Sequence, residues 1–482
     1  MLLVGSANYE TADGHIPAAR QFIVRGKQVF AAAEVPRDAS SSTGPLAMAD
    51  IDGDGTLEVF VGGRVIPGRF PEATSSRIFR LDGNALSLDV ENSRRLEKVG
   101  LVSGAVFSDL NGDGYPELIL ACEWGPVRVF NNGHGKLRDA TREWGMEKYT
   151  GLWNSVTTGD FDGDGRMDIV AGNWGRNSSY NLAPAGPWSL FYGDFNNDGQ
   201  VNLLEAYLDT ELKKIVPWRD LELVGHAMPW VRERFATHKA YATASVPDIL
   251  GERFPKAREL RANTLASTVF LNRGDHFEAT TLPGQAQWAP AIGVTVGDLD
   301  GDGKEDALLS QNFFAVRAED DRLDAGRGLW LRGNGTGKLT PVPGQESGVK
   351  IYGEQRGAAL CDYDADGRVD LVVTQNGAET TLYHNVAARP GLRVRLKGPP
   401  DNPEGLGAVM RLVFGPQWGP AREIHAGSGY WSQDCAVQVL GTPESPTQIW
   451  IRWPGGKTTT SPIPVEAKEI SVDEGGKVTV KR

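Results

Sequence analysis

Residues 160–168 read Asp160-Phe161-Asp162-Gly163-Asp164-Gly165-Arg166-Met167-Asp168. Carboxylates at positions 1, 3, 5 and 9 set hard oxygens around one point, and glycines at positions 4 and 6 let the backbone fold tightly enough to bring them there. The chemistry this predicts is coordination of Ca²⁺, not the making or breaking of bonds. An EF-hand needs a bidentate Glu at position 12 and a helix after it, whereas Ala171 stands there inside the β-type run Ile169-Val170-Ala171. The stretch reads as a cation loop that feeds a strand.

The pattern recurs in one register. Further copies are Asp50, Asp52, Asp54, Glu58; Asp109, Asn111, Asp113, Glu117; Asp194, Asn196, Asp198, Asn202; Asp298, Asp300, Asp302, Asp306; and Asp362, Asp364, Asp366, Asp370. A solvated acidic turn has no reason to repeat its oxygen positions in this way, so up to six bound Ca²⁺ are predicted. Affinity follows ligand charge and rigidity. The loops at Asp50, Asp160, Asp298 and Asp362 offer four carboxylates, the Asp109 loop three and the Asp194 loop two, which makes the last the weakest expected site. The formal charge of −12 disfavours nucleic acid and anionic membranes, yet six divalent ions would cancel it, so the acidity is mostly ligand inventory.

These loops need strands to hold them. After each comes a buried-type run such as Val59-Phe60-Val61, then an alternating run ending in a Gly- or Asn-rich turn. Examples are Gln21–Gly26, Val127–Gly133, Thr268–Gly274, Leu329–Gly335 and Thr381–Asn385. Successive loops start 59, 51, 34, 104 and 64 residues apart, a period suited to one four-stranded propeller blade. With 59 Gly and 28 Pro for turns, the fold class is all-β: a seven-bladed β-propeller over residues 1–390, with six blades as the alternative, and a C-terminal β-sandwich-like module over 391–482. The long step carries an insertion near residues 205–262, where Leu221, Val224, Met228, Val231 and Phe235 share a helical face until Pro247 and Pro255 interrupt it. The opening residues 1–6 resemble a post-loop strand rather than a signal peptide, so the chain is expected to begin inside a blade: either a preceding calcium loop and export signal are missing, or a strand from the other end completes the first blade. There is no apolar run of about 18 residues, and hence no predicted membrane span.

The loops and their following strands resemble the FG-GAP/VCBS repeats of calcium-binding β-propellers. Residues 391–474 resemble the ASPIC/UnbV module that follows such propellers in the cartilage acidic protein family, on Gly405-Leu406-Gly407-Ala408, the run Arg422–Gln433, and Ile449-Trp450-Ile451-Arg452-Trp453-Pro454-Gly455-Gly456. Two departures are His425, where the family pattern implies Arg, and Asn196-Asn197, which dilutes the Asp194 loop.

Catalytic signatures are sparse. No nucleophile elbow, HExxH, CxxC or phosphate-binding glycine loop is present. His226, His238, Arg232 and Tyr241 form one cluster in the insertion; His134, His276 and His384 sit beside hairpins; His425 neighbours Gly427-Ser428-Gly429. The tryptophans Trp124, Trp153, Trp174, Trp188 and Trp288 suit blade cores better than sugar platforms. Cys122, Cys361 and Cys435 are far apart in sequence and predict no disulfide framework. The expected function is a non-enzymatic, extracytoplasmic calcium-binding scaffold for an extracellular protein or glycan, in adhesion or binding, secreted or periplasmic. The alternative is a carbohydrate-active enzyme, a polysaccharide lyase or hydrolase, with its site in the propeller channel or under the insertion.

Overall fold

The computed structural model describes residues 2–7, 17–26, 28–35, 41–83, 85–182 and 186–482. Of the expected opening strand, Leu2–Gly5 is formed, while Met1 lies outside the described residues. Strands dominate, as expected for an all-β chain, in a series of small, mostly antiparallel sheets; the one parallel pair among the described strands is Leu392–Lys397 with Glu469–Asp473.

The first sheet comprises Leu2–Gly5, Ala19–Arg25 and Gln28–Val35, and the second Ser42–Ala49, Glu58–Val65, Arg77–Asp82 and Ala85–Asp89. The third is built on Leu101–Ser108, Glu117–Pro126, Arg128–Asn132 and Leu137–Asp139, and the fourth on Ser155–Gly159, Asp168–Gly172, Thr268–Asn272 and Phe277–Thr281. The fifth holds Ala291–Gly297, Asp306–Gln311, Leu329–Gly333 and Leu339–Val342, and the sixth Glu354–Cys361, Asp370–Asn376 and Ala378–Tyr383. In the second to sixth sheets the first strand lies against the first strand of the next, and the acidic loop joins the first strand to the second. Such inner strands are covered on both faces, and Leu101–Ser108, Ser155–Gly159 and Ala291–Gly297 are buried throughout. Close approach there demands glycine: a Cβ on Gly104 would lie 3.0 Å from Ser155 Cα.

The chain leaves the fourth sheet after Gly172 and returns at Thr268. Between these points it builds a sheet of its own, in the order Lys214–Pro217, Asn202–Asp209, Trp188–Gly193, Arg258–Ala262. Helices Leu221–Ala227, Pro229–Arg234, His238–Ala242 and Val246–Leu250 pack beside it. The expected apolar face is there: Leu221, Val224, Met228 and Val231 are buried with Phe195 and Tyr241, and Phe235 packs at the edge. Pro247 opens the last helix instead of ending one, because Ser245 caps it in a capping box. The excursion is thus longer than a helical insertion over 205–262, and it includes the Asp194 loop. Its first strand and loop carry the same pattern as the second to sixth sheets, which hides the boundary in the sequence.

Two further sheets follow. One orders Gln438–Leu440, Leu392–Lys397, Glu469–Asp473 and Val478–Val480, and the other centres on Val409–Phe414 paired with Gln448–Arg452. They share an apolar core of Leu396, Met410, Ile451 and Ile470, to which Leu57 from the second sheet contributes. Residues 421–435 leave this pair and run across the inner strands. Met48 N donates to Ala426 O at 2.7 Å, Gly429 N to Val156 O at 2.8 Å, and Trp431 Nε1 to Ser103 O at 3.0 Å.

Candidate metal centre

Each loop closes on its own first residue. The amide of position 6 donates to the position-1 carboxylate at 2.8–3.0 Å in all six: Gly55 to Asp50, Gly114 to Asp109, Gly165 to Asp160, Gly199 to Asp194, Gly303 to Asp298, Gly367 to Asp362. The position-2 amide donates to position 9, as Phe161 N does to Asp168 Oδ2 at 2.9 Å and Phe195 N to Asn202 Oδ1 at 2.9 Å. Position 4 is left-handed even where it is not glycine, at Asn197 (φ 55°) and Ala365 (φ 63°). Asn tolerates that region, whereas Ala365 carries real strain.

The carboxylates converge in four loops. Ligand atoms of Asp50, Asp52 and Glu58, of Asp160, Asp162 and Asp168, of Asp298, Asp300 and Asp302, and of Asp362, Asp364 and Asp370 lie within 4.8 Å of one another. Two oxygens on one Ca²⁺ are at most about 5 Å apart, since each bond is ~2.3–2.6 Å. The donor set fits this cation in a second respect: Glu58 Oε1, Asp160 Oδ1 and Asp162 Oδ1 are buried and have no hydrogen-bond partner. Burial, with nearby carboxylates adding to it, pushes Glu58, Asp168 and Asp306 up to about 8. Asp160 and Asp298 rise to about 6, again chiefly through burial. Groups this reluctant to ionise together call for a counter-cation. Positions 1, 3, 5 and 9 would hold it, and it would supply charge neutralisation that fixes the loop between its two strands.

The other two loops differ. In the Asp109 loop Asn111 stands at position 3, its amide 3.0 Å from Asp113 Oδ2 and 3.2 Å from Glu117 Oε1, and burial pushes Glu117 up to about 8. In the Asp194 loop Asp194 and Asp198 are exposed, and Asn196 is engaged elsewhere. Its carbonyl accepts from Trp230 Nε1 at 3.0 Å, and its NH₂ donates to Ala227 O at 2.9 Å, both on the helices of the excursion.

Residues 109–171 match the family described as FG-GAP-like repeat. That stretch is similar to an FG-GAP-like repeat. Beyond it, the chain is 22% identical over 302 residues to "Cartilage acidic protein 1" of Mus musculus, covering 61% of this chain and 43% of that protein, so the match takes in less than half of the relative's length. The two findings support the resemblance to FG-GAP repeats followed by an ASPIC/UnbV module. Among solved structures, rhamnogalacturonan lyase YesW aligns at 13% identity over 93% of this chain and 76% of its own, with a TM-score of 0.30. The exotype rhamnogalacturonan lyase YesX aligns at 12% over 92% and 74%, also at 0.30. At those scores neither likeness carries an argument about what this chain does.

Two sets of residues that tie the FG-GAP loops together escape the loop motif. On the third strand, Asn132, Asn272 and Asn385 each donate a backbone amide to position 9 of their own loop. Their side-chain amides reach back to the preceding loop, to Ile51 O, Leu110 O and Leu299 O, each at 2.8 Å. Beside them a basic side chain meets position 3: Arg80 with Asp52 at 3.1 Å, Arg273 with Asp162 at 2.6 Å, Arg332 with Asp300 at 2.8 Å and His384 with Asp364 at 3.1 Å. The Asn-rich turns were visible in the sequence, but as hairpin punctuation only. The C-terminal sheets add a third set: Arg452 forms an ion pair with Asp109 at 2.7 Å, Ala421 N donates to Asp160 Oδ2 at 2.8 Å, and Arg393 pairs with Asp362.

The histidine candidates scatter. His226 lies on an exposed helix face, its Nδ1 2.8 Å from Glu222 O and 3.4 Å from Arg232 Nη2, and His238 Nε2 is 3.9 Å from Glu222 Oε1, so three residues of the insertion cluster gather around Glu222 while Tyr241 is buried in the adjoining core. His134 packs edge-on to Tyr115, and His276 pairs with neighbouring Asp275 on the surface. His425 joins a buried polar group, 3.0 Å from Glu423 and 3.1 Å from Thr158 Oγ1, and Glu423 also accepts from Ser108 and from Asp109 N. Trp124, Trp153 and Trp188 are core residues and Trp174 is partly buried, whereas Trp288 is 53% exposed.

Proposed function

We propose that the chain is a calcium-rigidified β-propeller scaffold that acts outside the cytoplasm and binds a protein or glycan partner without catalysing a reaction. The observation that carries the calcium reading is the set of buried, mutually close carboxylates with partnerless oxygens at Glu58, Asp160 and Asp162. The loops at Asp50, Asp160, Asp298 and Asp362 hold their ions best, the Asp109 loop holds one less strongly, and the Asp194 loop holds one weakly or not at all. The succession of sheets with adjoining first strands supports a propeller of six blades over residues 1–390, the sheet of the Asp194 loop standing outside the ring. Residues 391–482 form the attached module.

Sites of the millimolar class fill only where calcium is abundant, which supports an extracytoplasmic location, as does the likeness to a relative named for cartilage. No helix among the described residues is long and apolar enough to cross a membrane. The test has two arms on the calcium-loaded protein: calorimetric titration with Ca²⁺ and Mg²⁺, and an array of glycans and polysaccharides read for both retention and product release. Selective Ca²⁺ binding with retention and no product supports the reading. Turnover of any polysaccharide would overturn its non-enzymatic part.

A further inference from the structure

Cys361 and Cys435 lie 74 residues apart in sequence and side by side in the fold. Cys361 ends the first strand of the sixth sheet, and Cys435 lies where residues 421–435 finish crossing the inner strands. Cys435 N donates to Leu360 O at 2.9 Å, and Leu360 N donates to Asp434 Oδ1 at 2.7 Å. Asp434 is held from the other side by Thr295 Oγ1 at 3.0 and 3.1 Å. The two segments are therefore clamped next to one another. A disulfide needs Cα atoms ~4.4–6.8 Å apart, and the backbone bond from Cys435 to the residue that precedes Cys361 holds the two cysteines at neighbouring positions. Both cysteines are partly exposed and line one cleft with His425 and Thr158. Cys122 is different, buried at 1% and roofed by Gly100, where an added Cβ would lie 3.0 Å from its Sγ.

We propose that Cys361 and Cys435 are a redox-modification site whose disulfide fastens the C-terminal module to the sixth sheet. This goes beyond the calcium reading and does not depend on it. The oxidant is a low-molecular-weight disulfide such as oxidised glutathione. One cysteine sulfur attacks it, forming a mixed disulfide and releasing one glutathione thiol. The second cysteine sulfur then attacks the mixed disulfide, forming the Cys361–Cys435 bond and releasing the other thiol. Two protein thiols are oxidised, one glutathione disulfide is reduced, and both thiol hydrogens leave on glutathione.

The full chain, loaded with Ca²⁺, is equilibrated in oxidising and in reducing glutathione buffers, alkylated, and read by intact mass and non-reducing peptide mapping. The expected oxidised product is lighter by two hydrogens, with the Cys361 and Cys435 peptides joined and Cys122 alkylated only after denaturation. Its melting temperature exceeds that of the reduced protein. Cys435→Ser and, independently, Cys361→Ala abolish both the cross-link and the rise on oxidation; the mapping on the unmutated chain stands even where a variant fails to fold. Recovery of both cysteines as separately alkylated or glutathionylated residues after oxidation, or a link between two chains, would overturn the proposal.

Discussion

The Asp160 and Asp194 loops share a backbone and differ in surroundings. Both fold the position-6 amide onto position 1 and the position-2 amide onto position 9. Asp160 is buried, with one oxygen taken by Gly165 and Ala421 and the other turned inward without a partner. Asp194 stands in solvent, and its neighbour Asn196 is bonded to Trp230 and Ala227. Motif alone therefore sets the shape of the loop, while burial and the engagement of its oxygens decide whether a cation is needed.

The largest effect expected from this contrast is chelation. Millimolar Ca²⁺ on sites with dissociation constants of tenth-millimolar to millimolar size stabilises by about 0.4–1.4 kcal/mol each, or roughly 2–7 kcal/mol for five independent sites. EGTA should lower the melting temperature by many degrees, and Mg²⁺ should not restore it, because it demands octahedral geometry and keeps its water. An unchanged melting curve would erase the distinction between the ring loops and the Asp194 loop.

The same contrast has a pH signature. Glu58, Asp168 and Asp306 have native-state values of about 8, above the usual carboxylate range. In chelator the native state thus holds protons that the unfolded chain gives up, and stability falls as pH rises from about 4.5 to 8. With Ca²⁺ bound the carboxylates are ionised, protons compete with the metal, and the slope reverses over that window. Melting temperatures at pH 5, 6, 7 and 8 with and without Ca²⁺ check the crossing; parallel curves would refute it.

Single substitutions sharpen the comparison. Asp160→Ala removes a buried ligand and strands two amide donors, so in Ca²⁺ it should cost about 2–4 kcal/mol by denaturant titration, and less in EGTA. Asn272→Ala leaves Leu110 O and Met167 O without their donor and should cost about 1–3 kcal/mol. Smallest of all, Asp198→Ala on the exposed loop should change stability by less than about 0.5 kcal/mol and leave the calcium stoichiometry unaltered. A cost equal to that of Asp160→Ala would show that the two environments are equivalent.

Much of this was legible in the sequence because it is local. Positions 1, 3, 5, 6 and 9 lie within one turn of chain, and a post-loop strand must be apolar, so loops, strands and the weak Asp194 copy could be placed from residue types. The clasps by Asn132, Asn272 and Asn385 depend on which sheet stands beside which, and a turn-forming Asn looks the same whether or not it bonds a neighbour. The excursion was misjudged for a related reason. Trp188–Gly193 and the Asp194 loop obey the repeat's pattern, and only the pairing of Ile169 with Phe270 across nearly a hundred residues reveals that they lie outside it. Cys361 and Cys435 likewise meet through a contact that local patterns do not reveal, between a strand of the sixth sheet and a segment from the last sheets.

The crossing of residues 421–435 over the inner strands also sets a timetable. Ser103, Ser108, Val156 and Thr158 are synthesised some 270–330 residues before Glu423, His425, Gly429 and Trp431, the partners that satisfy them. At about 5–20 residues per second, a translating ribosome leaves those groups waiting for roughly 15–65 s. During that interval the inner strands present unpaired polar groups and bare backbone edges, so this part of the fold reaches its finished state only once nearly the whole chain has been made. Premature termination after Asp370 but before Ala421 therefore yields a fragment with every loop motif intact and an uncovered interior, a natural client for holding chaperones and proteases.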